Sequence, residues 1–234
     1  GSRQARGLAV VNLIDLTPGE KITAVIPVQD FDKDGYLIMA TQQGIVKKTD
    51  LSEFENIRRN GLIAITLNEG DDLIDVRFTR GGQEVILGTR LGKAIRFSED
   101  DVRSMGRTAR GVKGIDLDKD DVVIGMERVQ PDSDLLVVTN KGFGKRTSID
   151  EYPVQRRAGK GVKNIHLTAR TGEVVGIKIV KPGNELMLVS AQGVMIRLKV
   201  DDISQQSRYA QGVTLMRTDE GDDVVAVARI MEQG

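Results

Sequence analysis

The sequence predicts an all-β protein, built as a propeller-like disc of about five four-stranded antiparallel blades. Two observations carry this prediction. A repeat of 48 to 51 residues runs along nearly the whole chain, and several strand-like segments are apolar at every position. Repeats of this length are typical of propellers and other arrays, in which each supersecondary unit packs against its neighbours. Each repeat is therefore expected to contribute one blade.

Two glycines mark the repeat. The first recurs at spacings of 48, 50 and 51 residues (Gly44, Gly92, Gly142, Gly193), and the second at 50, 50 and 51 (Gly61, Gly111, Gly161, Gly212). Gly7 opens an earlier copy that has only the second half. We therefore expect one domain over residues 3–232, with a partial repeat at 3–34 and full repeats at 35–83, 84–133, 134–183 and 184–232. Gly1 and Ser2 are interpreted as an expression scar.

Each repeat is expected to hold four strands; in the first full copy these are residues 37–40, 45–49, 62–67 and 73–78. Turn residues separate them, as antiparallel hairpins require. Residues 135–138 are apolar throughout, whereas an antiparallel strand with one wet face alternates. Both faces of each sheet must then be covered, which favours blades stacked around an axis over a sandwich.

Helix is expected only as a single turn between the two halves of a repeat. Ser98 is a suitable N-cap with Asp101 three residues later, and Ser148 with Glu151 repeats the arrangement.

Composition excludes several functions. The chain has no cysteine and no apolar run long enough to span a membrane, which indicates a reducing, cytoplasmic setting. The single histidine, His166, lies in a strand pattern and is interpreted as a half-buried strand residue. No group of residues suggests catalysis or a metal site, so we expect no catalytic residues and no cofactor in this domain.

Cations recur at fixed offsets although the net charge is zero, with 34 basic and 34 acidic residues. One follows each first glycine by four residues (Lys48, Arg96, Arg146, Arg197). An arginine precedes the second glycine by four residues in most copies (Arg3, Arg107, Arg157, Arg208), and Arg58 and Arg59 stand nearby in the remaining one. Acidic residues cluster after the third strand, around residues 71–72, 118–121 and 220–223. The offsets predict a basic band along one side of the disc, separated from an acidic side.

Duplex DNA is the polyanion that this band would fit. Aromatic residues make up only 3% of the chain, so the stacking platforms of single-strand binders are scarce. Cations flanked by glycine suit backbone phosphates, which give affinity without reading sequence.

One loop concentrates the pattern. Gln155, Arg156, Arg157, Ala158, Gly159, Lys160 and Gly161 place three cations and two glycines in seven residues. This loop resembles the QRRGGKG-type signature of the C-terminal DNA-wrapping domain of DNA gyrase A, and the repeat pattern agrees over residues 3–232. Ala158 replaces a glycine of that signature, a change that we expect to cost little. In the family the disc usually has six blades with the signature on the first, so this chain resembles a truncated, five-blade piece.

The resemblance implies a β-pinwheel, whose blades exchange strands, and a non-catalytic module that wraps duplex DNA on its basic rim. It implies that the domain works with the rest of DNA gyrase A and with DNA gyrase B, and that ATP and Mg²⁺ are bound in the holoenzyme only. It also implies that the protein has no membrane partner and that the isolated domain is monomeric. The DNA-binding residues that we predict are Gln155, Arg156, Arg157, Gly159, Lys160, Gly161, Lys163, Lys145, Arg146, Arg107, Arg110, Lys113, Arg96, Lys48, Arg58, Arg59, Arg197 and Arg208. Two alternatives stay open: the same domain of the topoisomerase IV paralogue, and a propeller that serves as a protein-interaction scaffold.

Overall fold

The computed structural model describes residues 16–28, 34–58 and 60–230. These residues form sixteen β-strands and four single 3-10 turns, at Leu51–Phe54, Glu99–Asp101, Ile149–Glu151 and Val200–Asp202. The prediction of an all-β protein is confirmed. So is the single turn between the halves of each repeat, where Ser98 Oγ and Ser148 Oγ accept hydrogen bonds from backbone N–H groups two residues on.

The strands are arranged in four sheets, each one blade. Blade 1 runs in the order β3 (Leu73–Thr79), β1 (Tyr36–Thr41), β2 (Ile45–Asp50) and β6 (Val112–Lys113). Blade 2 runs β7 (Val123–Arg128), β4 (Glu84–Thr89) and β5 (Lys93–Ser98), and both β10 (Val154–Gln155) and β11 (Val162–Lys163) pair with β5. Blade 3 runs β12 (Val174–Val180), β8 (Asp134–Thr139), β9 (Phe143–Ser148) and β15 (Val213–Thr214). Blade 4 runs β16 (Val224–Ile230), β13 (Glu185–Ser190) and β14 (Met195–Lys199).

The blades surround a cavity of ≈ 1020 Å³, which we call the axial cavity. One edge strand from every blade lines it, namely β3, β7, β12 and β16, together with residues 23–27. The opposite edge of each sheet therefore faces away from the axis. In blades 1 to 3 this outer rim is formed by the short strands β6, β11 and β15.

Each of these rim strands comes from the following repeat. β6 belongs to repeat 84–133 but pairs with β2, β11 pairs with β5, and β15 pairs with β9. The expectation of four strands within each repeat is therefore wrong, because the third strand is only two residues long and completes the neighbouring blade. Residues 62–67 form no strand. The backbone of these residues is hydrogen-bonded to the next repeat instead: Thr66 N–H donates to Ala109 O at 3.2 Å.

The blade count also differs from the expectation. The described residues form four blades, not about five. Most of the partial repeat at 3–34 lies outside the described residues, and residues 16–28 contain no strand.

Three apolar layers between the blades explain the continuous apolar strands. In β4, Val85 and Leu87 pack toward blade 1, whereas Ile86 packs toward blade 3. In β8, Leu135 and Val137 pack toward blade 2, and the residues that alternate with them pack toward blade 4. Adjacent residues of a strand point to opposite faces. Both faces are buried here because a neighbouring blade covers each one, which confirms the reasoning from sequence.

Ion pairs at the axis connect three blades. Arg77 Nη2 on β3 lies 3.1 Å from Glu127 Oε1 on β7, and Lys178 on β12 lies 3.6 Å from the same oxygen. Arg77 also pairs with Asp75. Burial raises the pKa of Asp75 and of Glu127, and the neighbouring Arg77 opposes that rise. Removing the guanidinium would leave two buried carboxylates poorly compensated.

Candidate nucleic-acid interface

The signature loop lies on the outer rim, at the edge of blade 2. Gln155 ends β10, which pairs in parallel with β5, and Gly161 directly precedes β11, which pairs with β5 in the antiparallel sense. The loop is thus held at both ends by one strand. Comparable rim loops, residues 103–111 and 204–212, lie between a 3-10 turn and a rim strand on blades 1 and 3.

Backbone geometry explains one glycine of the signature and corrects one expectation. Gly161 has φ +73°, and a Cβ there would lie 2.4 Å from Ala94 O, so only glycine fits. Ala158 has φ +69°. The left-handed region costs an alanine roughly 1–2 kcal/mol. The replacement of glycine at position 158 is therefore not the small change that we expected.

Neighbouring rim loops are hydrogen-bonded to one another. Ala158 N–H donates to Gly114 O at 2.7 Å, and Asp116 N–H donates to Gly159 O at 2.9 Å. His166 N–H makes the corresponding contact with Ala210 O at 3.1 Å. The rim of blades 1 to 3 is therefore a connected row of loops.

The arginines that precede each second glycine join that row through backbone carbonyls; we call Arg107, Arg157 and Arg208 the carbonyl-binding arginines. Their Nη1 groups donate to Ile63 O at 2.9 Å, to Lys113 O at 3.0 Å and to Lys163 O at 2.9 Å, respectively. Each acceptor stands two residues after the second glycine of the preceding repeat. Arg157 Nε also donates to Asp101 O at 3.0 Å. These hydrogen bonds position the loops, and within the described structure they use one side-chain donor of Arg107, one of Arg208 and two of Arg157.

The cations after each first glycine also bind protein. Lys48 Nζ donates to Glu99 O at 3.1 Å, Arg96 Nη1 to Ile149 O at 3.0 Å, and Arg146 Nε to Ile203 O at 2.7 Å. Each acceptor belongs to the 3-10 turn of the next repeat or directly follows it. Arg96, Arg146 and Arg197 also pair with carboxylates of their own sheet, at Glu84, Asp134 and Glu185. Their recurrence thus reflects contacts that hold sheets and adjacent repeats together. Lys48 is buried, whereas the Arg197 side chain is 63% exposed and its contact with an anion stays a prediction.

Lys145 is buried, contrary to a role in contacting phosphate. It is 0% exposed, and its Nζ donates to Ser207 O at 2.5 Å. Lys47, which the sequence reasoning did not single out, is equally buried and donates to Ala64 O. Burial lowers the pKa of each lysine to about 8. The signal that could have found this pair is their shared offset of three residues after a first glycine.

Two rim lysines lie beside carboxylates. Lys160 Nζ lies 3.0 Å from Asp116 and 3.4 Å from Asp118, and Lys113 Nζ lies 3.3 Å from Asp116. Hydrogen bonds from Lys160 and then Lys113 lower the pKa of Asp116, and the hydrogen bond to Asp116 raises the pKa of Lys160. The expected separation of acidic and basic sides therefore fails here, because the loop contacts bring residues 114–118 of the preceding repeat against the signature.

The recurring acidic residues have a structural role that the sequence reasoning missed. Asp71, Asp121 and Asp222 are buried, and each carboxylate accepts a hydrogen bond from a backbone N–H of a hairpin turn. The donors are Gln43 at 2.9 Å, Leu91 at 2.9 Å and Gln192 at 3.1 Å. The acidic clusters are thus partly turn caps of the β1–β2, β4–β5 and β13–β14 hairpins.

The cations available to an anion are fewer than predicted. Arg156 and Arg58 are exposed, with no hydrogen bond or ion pair of their side chains within the described part of the chain. Lys163 is exposed, and its Nζ lies 3.3 Å from Nδ1 of His166. His166 is itself exposed and lies outside any strand, so its interpretation as a half-buried strand residue is wrong. Arg110 is exposed and donates to Asn68 Oδ1 at 2.9 Å. Arg103, which the repeat pattern did not reveal, is exposed at the start of a rim loop. Arg59 lies outside the described residues.

Neither a metal centre nor a membrane-spanning helix is found in the described residues. They contain no group of three or more His, Cys, Asp or Glu side chains placed to hold a metal ion. No helix there has the length and apolar character that crossing a bilayer would require.

The fold and the rim define a β-propeller with exchanged strands and a row of basic loops on its outer edge. The family model of the "DNA gyrase C-terminal domain, beta-propeller" matches residues 1–29, 35–80, 83–130, 133–181 and 184–231. The chain therefore belongs to the DNA gyrase C-terminal domain family, and the strand exchange that the resemblance implied is present in the structure.

Curated relatives agree with that membership. The A subunit of DNA gyrase from Halalkalibacterium halodurans is 52% identical over 97% of this chain, and that from Salmonella typhimurium is 46% identical over 99%. This chain spans only 27% and 26% of their lengths.

Two solved structures are similar throughout the chain. The C-terminal domain of DNA topoisomerase IV has a TM-score of 0.90 and 30% identity, covering 96% of this chain and 70% of that one. A DNA gyrase A C-terminal domain has a TM-score of 0.87 and 26% identity, covering 97% and 76%.

Proposed function

We propose that the outer rim binds duplex DNA without sequence preference and bends it around the disc. The observation that carries this proposal is the connected row of rim loops, on which Arg156 and Lys163 stand exposed without a carboxylate partner in the described residues. Backbone phosphates are the ligands that such side chains fit, because guanidinium and ammonium groups bind phosphate oxygens in the absence of base contacts.

A curved, stiff row suits a duplex better than a flexible strand. Bending a duplex of 20–30 base pairs costs roughly 1–6 kcal/mol, so several phosphate contacts in fixed positions must offset that cost. The carbonyl-binding arginines fix these positions by holding each loop against the preceding repeat. Tyr209 is 65% exposed, but the Arg208 guanidinium lies 5.1 Å from its ring centre, so it is not a bare stacking platform.

Within a larger protein, the domain would serve a type IIA topoisomerase. We propose that it is a non-catalytic module of DNA gyrase A that presents wrapped DNA to the rest of that protein and to DNA gyrase B, in the bacterial cytoplasm. Negative supercoiling would then use ATP and Mg²⁺ bound elsewhere in the holoenzyme. Identity of 52% with a gyrase relative supports this assignment. The same domain of topoisomerase IV is the second candidate, favoured by the TM-score of 0.90.

The salt dependence of DNA binding tests the rim proposal. Each neutralised phosphate contributes about −0.9 to the slope of log K against log salt. Replacing Arg156 and Lys163 together by alanine should therefore flatten the slope by about 1.8 if each contacts one phosphate. Arg80→Ala is the control, because Arg80 is exposed, has no ion pair in the described structure and directly follows β3, the strand of blade 1 that lines the axial cavity. The slope of this control should equal that of the wild type.

Two results would count against the proposal. An unchanged slope in the Arg156→Ala/Lys163→Ala variant would remove these side chains from the interface. A flat slope in the wild type, with retention on a protein partner but not on DNA or heparin, would favour the scaffold alternative.

A further inference from the structure

Two aspartates lie against the lysine of the signature loop; we call Asp116 and Asp118 the rim carboxylates. Lys160 Nζ lies 3.0 Å from Asp116 Oδ2 and 3.4 Å from Asp118 Oδ1. Lys113 Nζ lies 3.3 Å from Asp116, and Lys93 Nζ lies 2.7 Å from Asp118. Lys113 is on β6 of blade 1, and Lys93 is on β5 of blade 2. Three ammonium groups at the junction of blades 1 and 2 therefore share two carboxylates.

Hydrogen bonds from the lysines favour the ionised form of both rim carboxylates. The hydrogen bond from Lys160 is the main cause that lowers the pKa of Asp116, and the hydrogen bond from Lys93 is the main cause that lowers the pKa of Asp118. At neutral pH the junction thus carries three positive charges and two negative ones, a net charge of plus one.

The contact between neighbouring rim loops does not need these carboxylates. The hydrogen bond from Asp116 N–H to Gly159 O has counterparts in two other repeats, at 3.2 and 3.1 Å. The residues that correspond there to the rim carboxylates have no carboxylate: Thr66 and Asn68 in one repeat, His166 and Thr168 in the other. Arg110, the counterpart of Lys160, donates to Asn68 instead. Loop position therefore leaves the rim carboxylates unexplained.

Stability leaves them unexplained as well. The side chains of Lys160 and Asp116 are 57% and 41% exposed, and ion pairs between exposed side chains add little to the stability of a fold. Lys93 and Asp118 carry opposite charges only in this repeat among the described ones. At the same two positions the other repeats have Ile45 with Asn68, Phe143 with Thr168, and Val194 with Asp219. The charged junction is therefore specific to the signature loop.

Carboxylate and phosphate oxygens are alternative partners of an ammonium group, which binds either one through charge-assisted hydrogen bonds. We propose that the rim carboxylates hold Lys93, Lys113 and Lys160 in the free protein, and that duplex DNA displaces these carboxylates with its phosphates. The displacement rests on the proposed function, because it requires that DNA binds the rim. It adds an internal competitor that weakens binding at the signature loop, and it makes Lys93 a phosphate ligand that the repeat pattern did not indicate.

The net charge of the junction sets the expected change in salt dependence. Three lysines and two carboxylates beside a duplex neutralise about one phosphate, and the lysines alone neutralise about three. At about −0.9 for each phosphate, Asp116→Thr/Asp118→Asn should steepen the slope of log K against log salt by about 1.8. The gain in affinity between about 200 mM and about 50 mM salt should then be about twelvefold larger for this variant than for the wild type.

The variant and its control keep the fold. Thr and Asn are the residues that the preceding repeat has at 66 and 68, where the same loop contact forms. Asp219→Asn/Glu220→Gln is the control, because it removes the same charge from exposed side chains that have no lysine partner in the described structure. The slope of this control should equal that of the wild type.

Carbodiimide cross-linking of the whole chain tests the displacement directly. The reagent condenses a carboxylate with an amine that it contacts, with loss of water and formation of an isopeptide bond. Peptide mass spectrometry of the free wild type should detect such bonds of Asp116 with Lys160 and of Asp118 with Lys93. Both should be lost when the chain is saturated with duplex DNA.

A second ion pair serves as the internal control in the same samples. Lys141 Nζ lies 3.0 Å from Asp223 on a hairpin turn, at similar exposure, and this pair should cross-link equally with and without DNA. Rim cross-links that persist while fluorescence anisotropy shows the DNA bound would overturn the displacement, and so would their absence from the free chain. A wild type that gives both rim cross-links but binds no DNA would overturn the proposed function and, with it, the displacement.

Discussion

Arg156 and Arg157 are adjacent in the signature and carry the same charge. Replacing one should nevertheless affect DNA binding, and replacing the other should affect stability. Arg157 donates to Asp101 O and to Lys113 O, both at 3.0 Å, whereas the Arg156 side chain contacts no polar partner among the described residues. Replacing Arg157 by alanine therefore removes two contacts between repeats, and replacing Arg156 removes none.

The magnitude follows from those two contacts. A hydrogen bond from a charged donor contributes about 1.5–3 kcal/mol when well buried, and the low end or less applies to a half-exposed loop whose carbonyls water can reach. We take about 1 kcal/mol for each, or about 2 kcal/mol in all. For a chain of this length 1 kcal/mol corresponds to about 2–4 °C, so Arg157→Ala should lower Tm by about 4–8 °C. Arg156→Ala should stay within about 0.5 kcal/mol of the wild type.

Thermal unfolding and DNA binding at two salt concentrations, measured on the same samples, separate the two roles. Arg156→Ala should reduce the salt slope by about 0.9 at unchanged Tm. Arg157→Lys is the matched control for Arg157, because it keeps the charge but presents one ammonium group in place of a planar fork. It should lose most of the stability that Arg157→Ala loses. The assignment of Arg157 to loop positioning is refuted if Arg157→Ala unfolds like the wild type while its salt slope falls.

Two further predictions concern the backbone of the signature loop and a buried lysine. Gly161→Ala should destabilise the domain by about 2–3 kcal/mol in urea unfolding, since φ is +73° and the new Cβ would meet Ala94 O at 2.4 Å. Gly159→Ala should cost less than about 1 kcal/mol of stability, because no atom would lie nearer than 3.6 Å to the new Cβ. Equal losses of stability in the two variants would contradict this geometry. Lys145 has its pKa lowered to about 8 in the folded protein from an ordinary value of 10.5, so between these values the unfolded chain binds more protons and the contribution of Lys145 to stability rises with pH. The free energy of unfolding should be measured for the wild type and for Lys145→Met at about pH 7.5 and about pH 9.5, on either side of the lowered pKa. The wild type should be more stable relative to the variant at the higher pH. A stability difference that is the same at both pH values would mean that Lys145 titrates normally.

The repeat and the fold class could be predicted from local sequence alone. Glycines at near-constant spacing mark turns that every copy must make, and strands such as 135–138 require two covered faces. Both conclusions depend only on turn chemistry and on the two-residue period of a strand. The Ser98 and Ser148 caps were predictable for the same reason, because donor and acceptor lie two residues apart.

The partners of the cations could not be predicted in this way. Arg96, Arg146 and Arg157 recur at fixed offsets, and that regularity is equally consistent with an anion-binding band and with contacts between repeats. Their acceptors are backbone carbonyls 44 to 57 residues away, at Ile149, Ile203, Lys113 and Asp101. Because every residue has a backbone carbonyl, the sequence does not show which carbonyl accepts the hydrogen bond.

The sequence by itself thus determined the repeat, the all-β class, the apolar layers between blades and the family signature. Only the tertiary structure decided that the third strand crosses to the neighbouring blade, that Lys48 and Lys145 are buried, and that Arg156 and Lys163 stand exposed on the rim. The physical reason is distance along the chain. Turns, caps and strand faces depend on neighbours a few residues away, whereas exposure and pairing depend on which distant backbone the folded ring places beside each side chain.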